Sequence, residues 1–318
     1  MKKSSDFSSL NQYVVQKQKE IGATAAAVYI LKKGIAVNEY YAGNQGKTPG
    51  SRTTDEKTLF PLASIRKTYL GLAISLLIEE GKIKSLNDSI EDYLDITAPR
   101  VTLRHLVTHT HGLDQQDKQL LSAFAPGTQW MYNNSGVDLL IELIQKLTDQ
   151  TLHDYVAKNI FTVYQLTETH WKTEAKEYMA EWPRKISGNS SVNFYASARD
   201  LAKWGCIHLN HGRFMGKQLL PRSVFERVVM SQTPSDLPKH FPRNGYFWWL
   251  QHPTPLNQLG EALPEDAYLI LGISGCACLV IPSLQAVAVR MYNQTENPSG
   301  YNYLEDIRQF GNLVAYHL

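Results

Sequence analysis

The sequence predicts an α+β fold in which both ends of the chain contribute to one antiparallel sheet. Near the start, β-rich runs at residues 27–31 and 35–41 flank a Lys-Lys-Gly turn, which is the pattern of a β-hairpin. Between residues 83 and 185 the apolar spacing is mainly helical, with little strand signal. Towards the end, short apolar runs separated by turns predict four further strands: 246–250, 268–271, 276–281 and 286–292.

These patterns divide the chain into a sheet domain, formed by residues 1–82 and 190–318, and a helical lobe at residues 83–189. Glycines end the first two helical stretches, Gly22 the first and Gly81 the second. Apolar residues at helical spacing predict helices at 7–21, 64–80, 137–147, 152–160, 198–209 and 303–316. We expect the functional site to lie between the sheet domain and the lobe.

The composition is that of a folded protein with small-molecule partners. Hydrophobic residues make up 43% of the 318 residues and charged residues 19%, which is far from the composition of disordered chains. Lys and Arg (32) nearly balance Asp and Glu (30), and no long basic run is present. This balance argues against nucleic acid or an anionic membrane surface as a partner. The oligomeric state is left open.

Cysteine spacing and hydropathy give no sign of export or of a metal site. Cys206, Cys276 and Cys278 form no Cys-x-x-Cys pair, so neither a disulfide framework nor a zinc knuckle is predicted. The lysines at the start are not followed by an apolar stretch, and no segment approaches the roughly 18 apolar residues of a membrane span. We therefore expect no signal peptide, no transmembrane segment and a cytoplasmic chain.

The first chemical motif is Ser64-Ile-Arg-Lys67, the one Ser-x-x-Lys in the chain. A spacing of three on a helix puts both side chains on one face, so the amine of Lys67 can reach the hydroxyl of Ser64. A lysine can accept the serine proton only if burial or nearby positive charge lowers its pKa well below about 10.4. The alternative is a surface serine beside a solvated lysine.

The second motif is the Tyr132-Asn133-Asn134 run that opens the helix predicted at 137–147. The phenol of Tyr132 could relay a proton to a leaving group, and the amide of Asn134 could hold an acyl group. The alternative is a helix cap formed by Asn133, Asn134 or Ser135.

The third motif is Gly272-Ile-Ser274-Gly275-Cys276, between two apolar runs. Its glycines would let the backbone approach a ligand closely, and the backbone N–H groups of Cys276 and Ser64 could face an oxyanion. The alternative is a bulge or bend within a strand.

Taken in this order, the three motifs resemble those of the class C serine β-lactamases and their relatives. These relatives are the penicillin-binding DD-peptidases, the lactamase-fold esterases and the 6-aminohexanoate-dimer hydrolases. The stretches between the motifs are similar too, so that the resemblance covers most of the chain: residues 101–113 look like the family's tLrhLLtHtsGl segment, 126–134 like PGt.w.Ysn and 195–205 like stArDlakfg.

The resemblance implies a β-lactamase/transpeptidase-like fold and an acyl-enzyme mechanism without a cofactor. Ser64 would attack the carbonyl and Lys67 would receive its proton, although the acylating base is disputed in related enzymes. Tyr132 would pass a proton to the leaving group and Asn134 would bind the acyl part. Relatives of this kind are often exported.

The third motif departs from the family's pattern at Ile273, where Lys or His usually stands. Ser274 and Gly275 follow the pattern. An apolar side chain cannot pair with the carboxylate of a penicillin or of a peptide terminus. We therefore favour an esterase or amidase over an efficient β-lactamase. A DD-peptidase or a slowly acylating sensor remains the alternative.

A minor alternative is a metal-dependent hydrolase that uses His109 and His111, with His105 one turn earlier. Histidines at this spacing can converge on zinc. No second His/Asp cluster completes the site, and the resemblance places these histidines in a structural segment. We therefore predict no metal.

Overall fold

The computed structural model describes residues 6–116, 119–171, 194–252, 259–294 and 297–318. The predicted boundary between residues 189 and 190 lies outside these ranges. The helices are α1 (Ser8–Glu20), α2 (Arg66–Glu79), α3 (Leu103–Val107), α4 (Ser135–Thr148), α5 (Leu152–Val156), α6 (Thr162–Tyr164), α7 (Ala198–Leu209), α8 (Arg222–Val229) and α9 (Tyr303–His317).

The strands fall into one large sheet and three small ones, and they confirm the predicted α+β class. They are β1 (Ala25–Lys32), β2 (Ile35–Gly43), β3 (Phe60–Pro61), β4 (Leu113–Gln116), β5 (Gln119–Ser122), β6 (Thr169–Trp171), β7 (Phe194–Ala196), β8 (Arg213–Phe214), β9 (Lys217–Gln218), β10 (Trp249–Leu250), β11 (Tyr268–Leu271), β12 (Ala277–Ile281) and β13 (Ala286–Tyr292). The large sheet has the order β10-β11-β12-β13-β1-β2, and its neighbouring pairs are antiparallel. The N-terminal hairpin, β1 and β2, is thus added next to β13 and forms one sheet with the C-terminal strands.

The central strand β13 is covered on both faces, and all of its residues are buried. Successive side chains of a strand point to opposite faces. On one face, Arg290 and Tyr292 bond to residues of α9 and α1. On the other face, Val287 lies against Gly205 of α7. The sheet is therefore a layer between α7 and the two terminal helices.

Helix α2 carries the first motif into the interior of the molecule. Its residues from Arg66 to Leu77 are all buried, as expected of a helix that is apolar around most of its surface. Tyr69 stacks on Trp204 of α7 at 3.9 Å between ring centroids, and the Trp204 indole donates to the Thr68 hydroxyl at 3.0 Å. These contacts fix α2 against the helix that covers the sheet.

The strand predicted at 246–250 is wrong over its first part, because only Trp249–Leu250 is a strand. Phe247 has a φ of 67°, and the Gly245 N–H donates to the Trp248 carbonyl at 3.0 Å. A left-handed residue within a tight turn cannot continue a strand ladder. The first residues of this run are apolar because they are buried in the core, although they do not belong to a strand.

The predicted helical lobe also contains strands. β4 and β5 form a hairpin, and β6 pairs with β7 in the small sheet β3-β7-β6. Elements of three or four residues are too short to show a period in the sequence. The helix predicted at 152–160 begins as α5 and continues through a π-helical turn at Ala157–Phe161. None of the helices in the described ranges has the length and hydropathy needed to span a bilayer.

Candidate active site

Ser64 lies in a short 3₁₀ turn, Ala63–Ile65, between β3 and α2. Ala63 has a φ of 47°, a left-handed conformation that costs an L-residue about 1–2 kcal/mol. Such strain persists only where the surroundings enforce it, and it is frequent at functional sites. The strained residue immediately precedes Ser64, so the turn holds the serine in a position that a regular helix would not give.

The side chains of Ser64, Lys67 and Tyr132 form a hydrogen-bonded triangle. The Lys67 amine donates to Ser64 Oγ at 2.9 Å and to the Tyr132 hydroxyl at 2.6 Å, and the Tyr132 hydroxyl donates to Ser64 Oγ at 2.6 Å. Both Lys67 and Tyr132 are therefore within proton-transfer distance of the serine oxygen. The structure brings together the three residues that the sequence assigns to catalysis.

Lys67 is only 1% exposed, and its pKa lies well below the ordinary lysine value. Burial is the main cause, because it disfavours the charged amine, and the positive charge of neighbouring Arg66 adds to it. Asp138 acts in the opposite direction. A lowered pKa makes the neutral amine, whose lone pair can accept the proton of Ser64, easier to form.

Tyr132 is partly exposed (43%), and its ring forms part of an aromatic wall. Its centroid lies 4.6 Å from the His109 ring and 6.3 Å from the Trp130 ring, and the Lys67 amine lies 4.6 Å from it. Burial raises the pKa of Tyr132, while the hydrogen bond with Ser64 and the charge of Arg66 lower it. The phenol is consequently protonated at neutral pH and can supply a proton to a leaving group.

Asn134 immediately precedes α4 and is exposed, and its side chain does not cap the helix. The cap is formed by Asn133, whose amide oxygen accepts the Ser135 N–H at 2.6 Å and whose amide nitrogen donates to Asp114 at 3.1 Å. Within the described residues the Asn134 amide makes no hydrogen bond, so it is accessible to a ligand.

The third motif is a tight turn between β11 and β12, and the turn packs against the residues that precede Ser64. The Gly275 N–H donates to the Gly272 carbonyl at 2.8 Å, and the Gly272 N–H donates to the Cys276 carbonyl at 2.9 Å. A Cβ on Gly272 would lie 2.4 Å from the Leu62 carbonyl oxygen, so a larger residue does not fit there. The predicted strand at 276–281 thus begins one residue later, at Ala277.

Two side chains of this turn tie it to the backbone of β3. The Ser274 hydroxyl is fully buried and donates to the Pro61 carbonyl at 2.7 Å. The Cys276 thiol, also buried, lies 3.5 Å from the same carbonyl oxygen, and burial raises its pKa. The proton of Ser274 is therefore used in an internal bond to the backbone of β3.

The backbone N–H groups of Ser64 and Cys276 have no hydrogen-bond acceptor within the described residues. Their segments are in contact through the bonds to Pro61, and such unpaired donors beside a nucleophile can stabilise an oxyanion. The outer position of the same turn holds Ile273, which is 45% exposed.

Comparison with known proteins gives the family. The profile of the Beta-lactamase family matches residues 10–310. The chain belongs to the β-lactamase family of serine hydrolases. An uncharacterized protein of Alkalihalophilus pseudofirmus is 34% identical over 98% of this chain and 96% of its own length. A β-lactamase of Yersinia enterocolitica is 29% identical, covering 84% of this chain and 77% of its own. The structure of EstCE1, described as a hydrolase with promiscuous acyltransferase activity, matches 96% of this chain and 98% of its own with a TM-score of 0.75 at 15% identity.

The histidines considered as metal ligands have other partners in this serine hydrolase. His111 Nδ1 accepts the Leu113 N–H at 2.9 Å, and His105 Nδ1 accepts the Thr102 N–H at 3.1 Å. His109 is buried against Tyr132, and burial holds its pKa well below the ordinary value. The described part of the chain contains no group of three His, Cys, Asp or Glu residues that could hold a metal ion.

Tyr303, in the first turn of α9, is a neighbour of the site that the motifs do not reveal. Its hydroxyl donates to the Gly272 carbonyl at 2.7 Å, and burial raises its pKa far above the ordinary value. The contact joins positions 31 residues apart in the sequence, and no local pattern predicts it.

Arg66→Gln is expected to move the pH profile of kcat/KM to higher pH. The charge of Arg66 lowers the pKa values of both Lys67 and Tyr132, so its removal raises both. Activity requires neutral Lys67 and protonated Tyr132, and both limbs of the profile therefore move in the same direction. Lys146→Gln, which removes a positive charge at an exposed position, is the control. An unchanged acid limb in a folded Arg66→Gln variant would contradict the prediction.

Proposed function

We propose that the protein hydrolyses esters or small amides through an acyl-enzyme on Ser64. The observation that carries the proposal is the hydrogen-bonded triangle of Ser64, Lys67 and Tyr132, in which burial lowers the pKa of Lys67. Family membership supports serine hydrolysis in general, and the site residues support our proposal of esters or small amides as substrates.

In acylation, Ser64 Oγ attacks the substrate carbonyl while its proton passes to neutral Lys67. The negative charge that develops on the carbonyl oxygen is stabilised by the N–H groups of Ser64 and Cys276. Tyr132, which touches both Ser64 and Lys67, donates its proton to the leaving alcohol or amine and regains one from the protonated Lys67. The product of this step is an ester of Ser64.

In deacylation, a water molecule replaces the leaving group and attacks the Ser64 ester. The same residues act in reverse: the water proton passes to neutral Lys67, directly or through the Tyr132 hydroxyl, and Ser64 regains a hydrogen from the protonated Lys67 when the acid departs. Asn134 is two residues after Tyr132, is exposed and makes no side-chain hydrogen bond within the described residues, and it would hold the acyl part of the substrate.

The proposal favours acyl groups without a carboxylate, because the exposed side chain of the third motif is Ile273. A charge-assisted hydrogen bond contributes about 1.5–3 kcal/mol, which corresponds to a factor of roughly 10 to 10² in binding. The carboxylate of a penicillin or of a peptide terminus would not form this bond here.

The aromatic wall beside Ser64 extends from Tyr132 through Trp130 to Trp249, whose ring centroid lies 5.5 Å from that of Trp130. Such a wall favours apolar acyl or alcohol groups.

Ile273→Lys is expected to raise the rate of acylation by penicillins about 10-fold or more, because it supplies a cation for the substrate carboxylate. The rate with p-nitrophenyl acetate, which has no carboxylate, should change little. The matched control is Ile35→Lys, since Ile35 is also exposed (68%) but lies on β2 at the far edge of the sheet. Stopped-flow acylation by a chromogenic cephalosporin and by a penicillin gives the readout. An unchanged rate would show that another feature limits these substrates.

The proposed function is tested by intact-protein mass spectrometry during turnover of p-nitrophenyl acetate and, separately, of a chromogenic cephalosporin. We expect an acetyl adduct on residues 58–66, the tryptic peptide that contains Ser64, together with repeated release of p-nitrophenol. A stable stoichiometric adduct without turnover would instead indicate a slowly acylating sensor. Absence of any adduct from either compound would overturn the acyl-hydrolase proposal.

A further inference from the structure

The peptide unit between Gly275 and Cys276 is held at its carbonyl end, while its N–H end, within the described residues, is free to meet a ligand. Its N–H belongs to Cys276 and is the donor assigned above to the oxyanion. Its carbonyl belongs to Gly275 and accepts a hydrogen bond from Arg290 Nε at 3.1 Å. Because a peptide unit is planar, an interaction that fixes the carbonyl also fixes the direction of the N–H.

Arg290 reaches this carbonyl from β13 and is itself fully buried. Its two terminal nitrogens donate to the two carboxylate oxygens of Asp306 on α9, each at 2.7 Å. Tyr13 of α1 donates to the same carboxylate at 2.8 Å. The guanidinium of Arg290 therefore directs its Nε at the Gly275 carbonyl. Its two terminal nitrogens are bonded to the carboxylate of Asp306, which Tyr13 also holds in place.

The Arg290–Asp306 pair is charged despite its burial. Burial alone would raise the pKa of Asp306, but the charge and hydrogen bonds of Arg290, with the bond from Tyr13, hold this pKa below its ordinary value. A buried ion pair contributes little to stability compared with apolar residues of the same size. Stabilisation of the fold by this ion pair therefore does not by itself explain why an arginine stands at position 290.

The rest of the turn is equally constrained. Gly275 has a φ of 83°, and a Cβ at this position would lie 2.7 Å from the Tyr292 ring. Tyr303 donates to the Gly272 carbonyl at the other end of the turn. A charged donor on the Gly275 carbonyl also polarises the amide, which makes the Cys276 N–H a stronger donor.

We propose that Arg290, braced by Asp306, is a positioning residue that directs the Cys276 N–H towards the oxyanion of the transition state. The inference rests on the proposed function, because it deepens the account of the same site. It assigns a catalytic consequence to a pair of residues that do not touch the substrate.

The test compares wild type, Arg290→Lys and Asp306→Asn with an oxygen ester and with the matching thionoester, in which sulfur replaces the carbonyl oxygen. Sulfur is a poor hydrogen-bond acceptor, so an oxyanion donor accelerates the oxygen ester more than the thionoester. For Arg290→Lys we expect kcat for the oxygen ester to fall about 10- to 10²-fold with KM within about threefold, and the ratio of oxygen ester to thionoester rates to fall with it. Asp306→Asn, which leaves Arg290 in place, should give a smaller change in the same direction.

The control is Arg227→Lys. Arg227 also joins a carboxylate and a backbone carbonyl, those of Glu79 and Ser75, but it contacts α2 far beyond Ser64. The burst of p-nitrophenol counts the competent sites, so that kcat refers to folded enzyme in each variant. A merely structural role would lower both rates equally and leave their ratio unchanged, and this result would overturn the inference. Unchanged kcat in both variants would overturn it as well. Failure of the proposed function would give a different result from failure of this inference, because the wild type itself would then form no adduct on Ser64.

Discussion

Ser64→Ala is expected to abolish acyl transfer, with a loss of roughly 10⁴-fold or more in kcat, because no other described group takes the place of the nucleophile. The substitution removes one hydroxyl whose hydrogen bonds are with Lys67 and Tyr132. These two groups retain their bond to each other, so the fold should be preserved. The measurements are p-nitrophenol release, the mass of the intact protein and the midpoint of thermal unfolding.

Ser51→Ala is a suitable control, since it removes a serine hydroxyl from a loop ahead of the site. Full turnover in Ser64→Ala, or an adduct located on another peptide, would refute the assignment of the nucleophile. The Cys276 thiol in the neighbouring turn is buried, and its raised pKa makes it a poor nucleophile.

Lys67→Met is expected to lower the rate by at least about 10²-fold, the usual contribution of a general base. Methionine follows the lysine side chain as far as Cε and leaves no large cavity, so the rate reports the missing amine. We expect the same variant to be more stable than the wild type at neutral pH, because the wild type buries an amine that the unfolded chain keeps solvated and protonated.

The stability difference should depend on pH. The folded-state pKa of Lys67 is depressed, so the unfolded wild type binds more protons and its stability rises with pH between the two pKa values. The advantage of Lys67→Met is therefore largest at low pH and disappears above about pH 10.4, the unfolded value. Lys203→Met, which breaks an ion pair with Asp200, is the control and should lose stability without loss of rate. Equal activity in Lys67→Met and wild type would assign the base elsewhere.

Much of this molecule follows from local sequence. The hairpin at β1 and β2 follows from two β-rich runs around a Lys-Lys-Gly turn, and α2 and α7 follow from apolar spacing bounded by glycines. The pairing of Ser64 with Lys67 follows from their spacing of three on a helix. In each case the signal lies within a few residues, where backbone geometry alone fixes the outcome.

Other features depend on contacts between distant segments. The first part of the apolar run at 246–250 is a turn, because the Tyr246 N–H bonds to the Val228 carbonyl and the Phe247 N–H to the Val107 carbonyl. Tertiary packing brings these two carbonyls into reach. The lowered pKa of Lys67 is likewise a tertiary property. Of the two causes that lower this pKa, the sequence shows only the neighbouring charge of Arg66. The larger cause is the desolvation of the amine by the surrounding fold.

The sequence by itself determined the fold class, the Ser64–Lys67 pair and the apolar Ile273 in place of a cation, because each is a property of residue type and short spacing. Tertiary structure alone decided that Tyr132 completes the triangle, that Ser274 bonds to Pro61, and that Arg290 on β13 reaches the Gly275 carbonyl. These contacts join residues separated by 15 to 213 positions, and their geometry is set by how the strands and helices pack rather than by any local preference.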